Sequence, residues 1–219
     1  IKHFPNSKSS IEVSYVGLPT ETISKNNTKT TKSQLVISTP FILFIGTIQP
    51  RKNIIRAVQA FELAKKQYPD LQFVLIGKKG WKSEPILDAI SNSPEKDSIH
   101  WLGFVEDSEK NEYIKHASAL ILVGLLEGFG IPPLEALDQG VVPIVSNSSS
   151  LSEVVGKSGI LVDPYNVQEI SQGIIKACEM SKDQRIALTN QSQEKRKKFT
   201  WDHVAEVVYS SLEEVSVRT

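Results

Sequence analysis

The sequence predicts an α/β fold built on a doubly wound parallel sheet, and two patterns from residue 40 onward carry that prediction. Six short segments are mostly near-continuous in Ile, Val, Leu and Phe: Phe41–Gly46, Gln72–Gly77, Ile99–Leu102, Ala119–Val123, Val142–Ser146 and Gly159–Val162. Apolar runs without polar alternation suit parallel strands covered on both faces. The stretches between them carry helical periodicity, as right-handed crossovers between parallel strands require.

The elements follow in order. Residues 1–19 hold one apolar alternation, Ile11–Val16, closed by Gly17 and Pro19, and read as a single strand cut from something larger. Residues 20–39 are polar, with Lys25, Lys29 and Lys32 among asparagines and threonines, and read as a linker. After the first strand of the sheet, Ile54, Val58, Phe61 and Ala64 fall on one helical face. Ser150 with Glu153, and Asn166 with Glu169, fit capping boxes at helix starts. In the last stretch Trp201, Val204, Val208, Leu212 and Val215 recur at helical spacing, a stripe expected to pack on the domain.

Composition narrows the function classes. The chain of 219 residues balances 25 Lys and Arg against 25 Asp and Glu, without the basic surplus that nucleic-acid binding needs. Its single cysteine, Cys178, excludes an intramolecular disulfide. Cys178 sits in an apolar helical stretch that predicts a buried, inert thiol, a usage compatible with the cytosol. No apolar run approaches the ~20 residues that span a bilayer.

In an open α/β sheet the ligand lies beyond the carboxyl ends of the strands, so the loops there hold the candidate chemistry. The first is Gly46–Asn53, where Gly46 permits a close turn and Pro50, Arg51 and Lys52 lead into the first helical turn. Cations at a helix N-terminus oppose the macrodipole by ~0.3–1 kcal/mol. An anion such as a diphosphate, bound between Arg51 and Lys52, would account for them; a solvated basic pair is the plainer alternative.

The second loop, Glu127-Gly-Phe-Gly-Ile-Pro-Pro-Leu-Glu135, follows a strand and opens a helix. Gly128 and Gly130 permit backbone approach, and the amides near Phe129, Gly130 and Ile131 would face a ligand oxygen. Glu127 in the loop and Glu135 in the first helical turn suit hydroxyls, one set on a sugar and one on a ribose. The plainer alternative is a pair of glutamates favoured by the helix dipole. No Gly-x-Gly-x-x-Gly is present there, which disfavours NAD. Ser146–Glu153 and Gly77–Trp81 are polar loops of the same placement, and each reads equally well as a turn.

These residues, with Gly103-Phe-Val and Leu161-Val-Asp-Pro in the same order, resemble the C-terminal domain of the group 1 (family four) glycosyltransferases of GT-B fold. The resemblance covers Pro40–Leu212 and implies a Rossmann-like donor half. It makes Arg51 and Lys52 the groups that neutralise the donor diphosphate, and Glu127 the holder of the transferred sugar beside the amides of Phe129 and Gly130. It gives Glu135 to the nucleotide ribose and Gly103, Phe104 and Val105 to the base, with Gly46, Gly77, Gly128 and Ile131 lining the donor pocket. Glu127, Arg51 and Lys52 would be the catalytic set.

The resemblance further implies transfer with retention of configuration, without a metal or other cofactor. It places the whole enzyme in the cytoplasm, peripherally at the inner membrane face, making cell-surface polysaccharide from a mannosyl or related hexosyl donor. Two departures qualify it. Thr47 stands where many relatives carry Arg. The acceptor-binding N-terminal domain would be reduced to residues 1–19, so a missing domain or a partner subunit would complete the enzyme and the chain alone would be inactive. The final helix, which crosses toward that domain in the family, would then leave Trp201 under-buried.

None of His3, His100, His116 and His203 matches the family's sugar-contacting histidine, and all read as structural or surface. The alternative functions are a non-catalytic nucleotide-sugar-binding module or regulatory subunit, and a nucleotide-sugar epimerase of the same fold. A glycoside hydrolase using Glu127 and Glu135 suits the adjacent cations poorly.

Overall fold

The structure is a computed structural model and describes residues 13–18, 37, 40–191 and 197–217, the side chains of 215–217 excepted. It divides into two compact units, residues 26–192 and a smaller one formed by residues 1–25 with 193–219. Among the described residues no helix is long and apolar enough to cross a membrane.

The larger unit holds a six-stranded sheet whose described pairings are all parallel. Its strands are β1 (Phe41–Ile45), β2 (Gln72–Ile76), β3 (Ile99–Gly103), β4 (Ala119–Leu122), β5 (Pro143–Ser146) and β6 (Ile160–Val162). Each lies within one residue of its expected ends. Strands β1, β4 and β5 are buried at every position, as expected of strands covered on both faces. The order is β3-β2-β1-β4-β5-β6. It reverses direction between β1 and β4, and there the crossover helices leave a crevice at the carboxyl ends.

Seven helices belong to this unit among the described residues: α1 (Ile54–Lys65), α2 (Glu84–Ser91), α3 (Asp107–His116), α4 (Ile131–Asp138), α5 (Ser149–Val155), α6 (Val167–Glu179) and α7 (Lys182–Asn190). The expected face of α1 is buried in full, with Ala57 and Ala60 added to it, and α1 packs beside α6. Phe61 meets Phe73 of β2 at 5.6 Å between ring centroids. Ile37, within the expected linker, is buried in the same core; the rest of residues 20–39 lies outside the described residues.

Helix starts depart from the expected boxes. Helix α5 begins at Ser149, and its N-cap Ser148 makes no side-chain cap bond. Ser150 is therefore inside the helix, and its hydroxyl donates to Glu127 O at 2.8 Å, a partner distant in sequence. Asn166 accepts from the Glu169 amide, but the Glu169 carboxylate takes the Asp163 amide, so that box is half formed. The complete box stands at α7, between Ser181 and Gln184.

In the smaller unit, Leu18 bridges Thr200 and donates its amide to Phe199 O, while Tyr15 meets Phe199 edge to face at 5.2 Å. Among the described residues, 13–16 of the expected strand pair with no other strand, and Ile11 and Glu12 lie outside the described residues. Helix α8 (Trp201–Val217) forms at the expected spacing, but three residues of its stripe, Trp201, Val208 and Leu212, are exposed, while Val204 is half-buried. Within its own unit the described partner segment is six residues long and meets α8 at its start, where Gly17 lies against Trp201.

One side chain secures the carboxyl end of the sheet. Asn53, 5% exposed, has φ 59°, a left-handed conformation that asparagine tolerates better than most residues. Its amide donates to Val123 O at 3.0 Å and Pro164 O at 2.7 Å, and its oxygen accepts from Arg56 Nη1 at 2.9 Å. It thus joins the loops after β1, β4 and β6. Asn53→Ala orphans two carbonyls and keeps the left-handed backbone, so it is expected to cost about 3 kcal/mol in urea unfolding. Asn53→Gly is expected to cost less, because glycine adopts that conformation freely; a loss under about 1 kcal/mol in both would mean the amide is not the tie.

Candidate functional site

The crevice between β1 and β4 is built from backbone turns first. Beyond β1 the chain passes Gly46 and runs beside the loop after β2, where Ile48 bridges Lys79. Gly46 also accepts the close approach of Gly77: a Cβ on Gly77 would lie 1.9 Å from Gly46 O. Pro50–Lys52 then form a 3-10 turn, and the left-handed Asn53 separates it from α1. Arg51 and Lys52 therefore precede the helix and lead into its first turn, as expected from the sequence. Free of the helix, their side chains turn toward the loop after β4.

There they meet Glu127. Arg51 Nη1 lies 2.9 Å from Glu127 Oε2 and also donates to Leu126 O at 2.9 Å. Lys52 Nζ lies 2.7 Å from Glu127 Oε1. The Glu127 side chain is 6% exposed and that of Lys52 11%, whereas Arg51 reaches solvent at 42%. A carboxylate this buried requires charged partners, and here each oxygen has one. Two cations against one carboxylate leave a formal surplus of one positive charge at the crevice. Leu125 N donates to Arg51 O at 2.8 Å, so the two loops are joined by backbone as well as by charge.

The Gly-Phe-Gly segment is shaped by its neighbours. Gly130, the N-cap of α4, has φ 103°, and a Cβ there would strike Leu151 at 2.5 Å. Gly128 faces open space. Pro132 and Pro133 carry no N–H, so among the first three helical residues only Ile131 offers an amide at this end of α4. Ser150 donates to Glu127 O, and the buried Ser146 hydroxyl to Gly124 O at 2.7 Å. Ser146 and Ser150 thus hold the segment after β4 at Gly124 and Glu127.

Glu135 lies one turn further into α4 than expected, with no acidic residue in the first turn. Its Oε1 lies 2.9 Å from Lys110 Nζ of α3, and Lys110 also meets Asp107 at 3.1 Å. Burial pulls the Lys110 ammonium down, but the hydrogen bond and charge of Glu135, helped by Asp107, outweigh it and hold the pKa above the usual lysine range.

The remaining candidates lie at the ends of β2 and β3. Gly77 N donates to Gly103 O at 2.7 Å, and Trp101 Nε1 to Gly77 O at 2.9 Å. Phe104 is 62% exposed with Lys78 Nζ 4.7 Å from its ring centroid, while Val105 packs partly against the core. Trp81 is also exposed. The fold therefore brings Gly46, Arg51, Lys52, Glu127 and Gly128–Ile131 to one crevice, places Glu135 behind it, and sets Gly77, Phe104 and Val105 on the flank.

Asn53 and Lys110 were not singled out from sequence. Asn53 carries no pattern beyond a polar residue before a helix, and Lys110 reads as a surface lysine three residues after Asp107. Of the histidines, His100 bonds Gln72, with burial pushing its ring down, His116 bonds Glu112 O, and His203 faces Glu206; His3 lies outside the described residues. Cys178 is half-buried against the core, and burial pushes its thiol up. Among the described residues no group of three or more His, Cys, Asp or Glu could hold a metal.

Comparison with known proteins agrees with this architecture. Residues 26–197 match the family model described as glycosyl transferases group 1. The chain is 33% identical over 167 residues to the O-antigen chain mannosyltransferase B of Escherichia coli, covering 74% of this chain and 43% of that one. It is 30% identical over 159 residues to the serotype-specific mannosyltransferase WbdA of Escherichia coli, covering 70% of this chain and 19% of that one. It thus spans less than half the length of these curated relatives. A trehalose-phosphate synthase from Burkholderia vietnamiensis superposes with TM-score 0.74 at 14% identity, over 82% of this chain and 45% of that one, which shows a shared fold.

The Glu127 clamp has an asymmetric consequence. Glu127→Gln leaves two cations facing one another, whereas Lys52→Met leaves Glu127 bonded to Arg51. The glutamine variant is expected to be the less stable of the two by about 1–3 kcal/mol, read from urea midpoints at constant m-value. The reverse order would show that the carboxylate does not hold the turn.

Proposed function

The chain belongs to the group 1 glycosyltransferases, and from that premise we propose that its larger unit binds a nucleotide-diphosphate sugar and supplies the donor half of a retaining glycosyl transfer. The observation that carries this reading is the convergence of Arg51, Lys52 and Glu127 at the point where the strand order reverses. Two cations meeting one carboxylate in a crevice have charge to spare for an anion, and Arg51 is the more accessible of them. The diphosphate would take up that charge. Glu127, relieved of part of its pairing, would accept hydrogen bonds from the hydroxyls of the transferred sugar. Glu135 would accept from the ribose, and the exposed Phe104 ring would border the base.

In the transfer itself the bond between the anomeric carbon and the phosphate oxygen breaks. Positive charge grows on the sugar and negative charge on the diphosphate. Arg51 and Lys52, already positioned, would stabilise the leaving group without reorganising, so that no metal need supply the charge. The acceptor oxygen would then bond to the anomeric carbon on the face the diphosphate leaves while its proton passes to the departing phosphate oxygen, which gives retention. The acceptor pocket would come from an N-terminal domain or from a partner subunit, and the chain alone would be inactive. The names of the two mannosyltransferases support a mannosyl donor, and the whole enzyme would act in cell-surface polysaccharide synthesis, in the cytoplasm at the inner membrane face.

Calorimetric titration with nucleoside diphosphates, their sugar conjugates and inorganic pyrophosphate tests the reading. One nucleotide is expected to bind preferentially. Lys52→Ala is expected to weaken both it and pyrophosphate by about tenfold or more, the scale of one charge-assisted hydrogen bond. Glu135→Ala is expected to weaken the nucleotide and spare pyrophosphate. Absence of binding at millimolar ligand, or pyrophosphate binding indifferent to Lys52, would sink the proposal. A non-catalytic module would show the same binding yet fail to transfer when the acceptor half is supplied.

A further inference from the structure

We propose that Lys110 is a positioning residue for the donor ribose, acting through Glu135; the inference rests on the reading of Glu135 as the ribose acceptor. The two side chains come from different elements, Lys110 from α3 and Glu135 from α4, and are 19% and 13% exposed. Their contact of 2.9 Å is a charge-assisted hydrogen bond to one carboxylate oxygen, Oε1. Among the described residues the hydrogen bond to this carboxylate is made at Oε1, by Lys110. Oε2, with the second lone pair of Oε1, is therefore left to accept a vicinal pair of hydroxyls.

Lys110 does two things for that carboxylate. It places a cation 2.9 Å from a carboxylate that is largely removed from water, which compensates the burial of that charge. It also selects one rotamer of a flexible glutamate by fixing Oε1. Asp107, 91% exposed, closes the other side of the ammonium and contributes little on its own. Helix α3 begins directly after Glu106, its N-cap, and so after Phe104 and Val105. The Lys110–Glu135 bond is thus a strut between the loop that would border the base and the helix that would hold the ribose. The raised pKa of Lys110 keeps this strut charged through the neutral range.

Calorimetry on the full chain tests this with uridine and guanosine diphosphates, their 2′,3′-dideoxy counterparts and inorganic pyrophosphate. The unaltered chain is expected to prefer the ribonucleotide of its chosen base by about tenfold or more, the scale of charge-assisted hydrogen bonds. Lys110→Met is expected to collapse that preference while leaving pyrophosphate affinity unchanged, and Lys110→Arg to retain most of it. In a Glu135→Ala background, Lys110→Met is expected to change nothing further, since it acts through the missing carboxylate. Lys110→Gln provides the same comparison should the methionine variant unfold. A ribose preference that survives loss of the lysine charge, or a loss of pyrophosphate binding equal to that of nucleotide, overturns the role of Lys110 alone. No ribose preference in the unaltered chain overturns the reading of Glu135, and this inference with it.

Discussion

The carboxyl end of the sheet depends on a buried amide. Asn53 sits where three loops converge, those after β1, β4 and β6, and each receives or returns one of its hydrogen bonds or continues from it. Parallel strands leave their connecting loops without a ladder of their own, so something other than the sheet must hold them in register. A side chain with two donors and an acceptor, fully occupied and removed from water, does this at modest cost. Its left-handed backbone also ends the 3-10 turn before α1 begins, which is why Arg51 and Lys52 face across the crevice.

Given that scaffold, the charge arrangement follows. A carboxylate as buried as Glu127 is costly without charged partners, and the two cations that meet it would repel one another without an anion. Each needs the other, and the trio locks the loop after β4 to the turn after β1. The same trio is incompletely neutralised. A site that is stable when empty and still attractive to an anion must have this property: enough internal pairing to hold its shape, and a residual charge of the sign opposite to its ligand.

The flanks of the crevice are built differently. At β2 and β3 the glycines Gly77 and Gly103 meet through backbone bonds, and aromatic rings stand at the surface with lysines near them. Behind the crevice, Glu135 is reached by a lysine from a neighbouring helix. The shared carboxylate dominates at the centre, and exposed rings with separate ion pairs stand around it. That arrangement suits a ligand with a highly charged middle and less polar ends.

The sequence by itself determined the sheet, the helices and the loops that carry the candidate site. Strands of Ile, Val, Leu and Phe and the buried stripe of α1 are decided by burial periodicity, which is local, so their ends could be read to within a residue. Only the tertiary structure decided who faces whom. That Arg51 and Lys52 share Glu127, some seventy-five positions away, that Ser150 supports the Gly-Phe-Gly loop instead of capping its own helix, and that Lys110 reaches Glu135 are long-range pairings. So is the exposure of the α8 stripe, since a periodic apolar face says that a helix can be buried and not what is present to bury it. A charge or an apolar stripe specifies the kind of partner it needs; the topology of the chain supplies or withholds that partner.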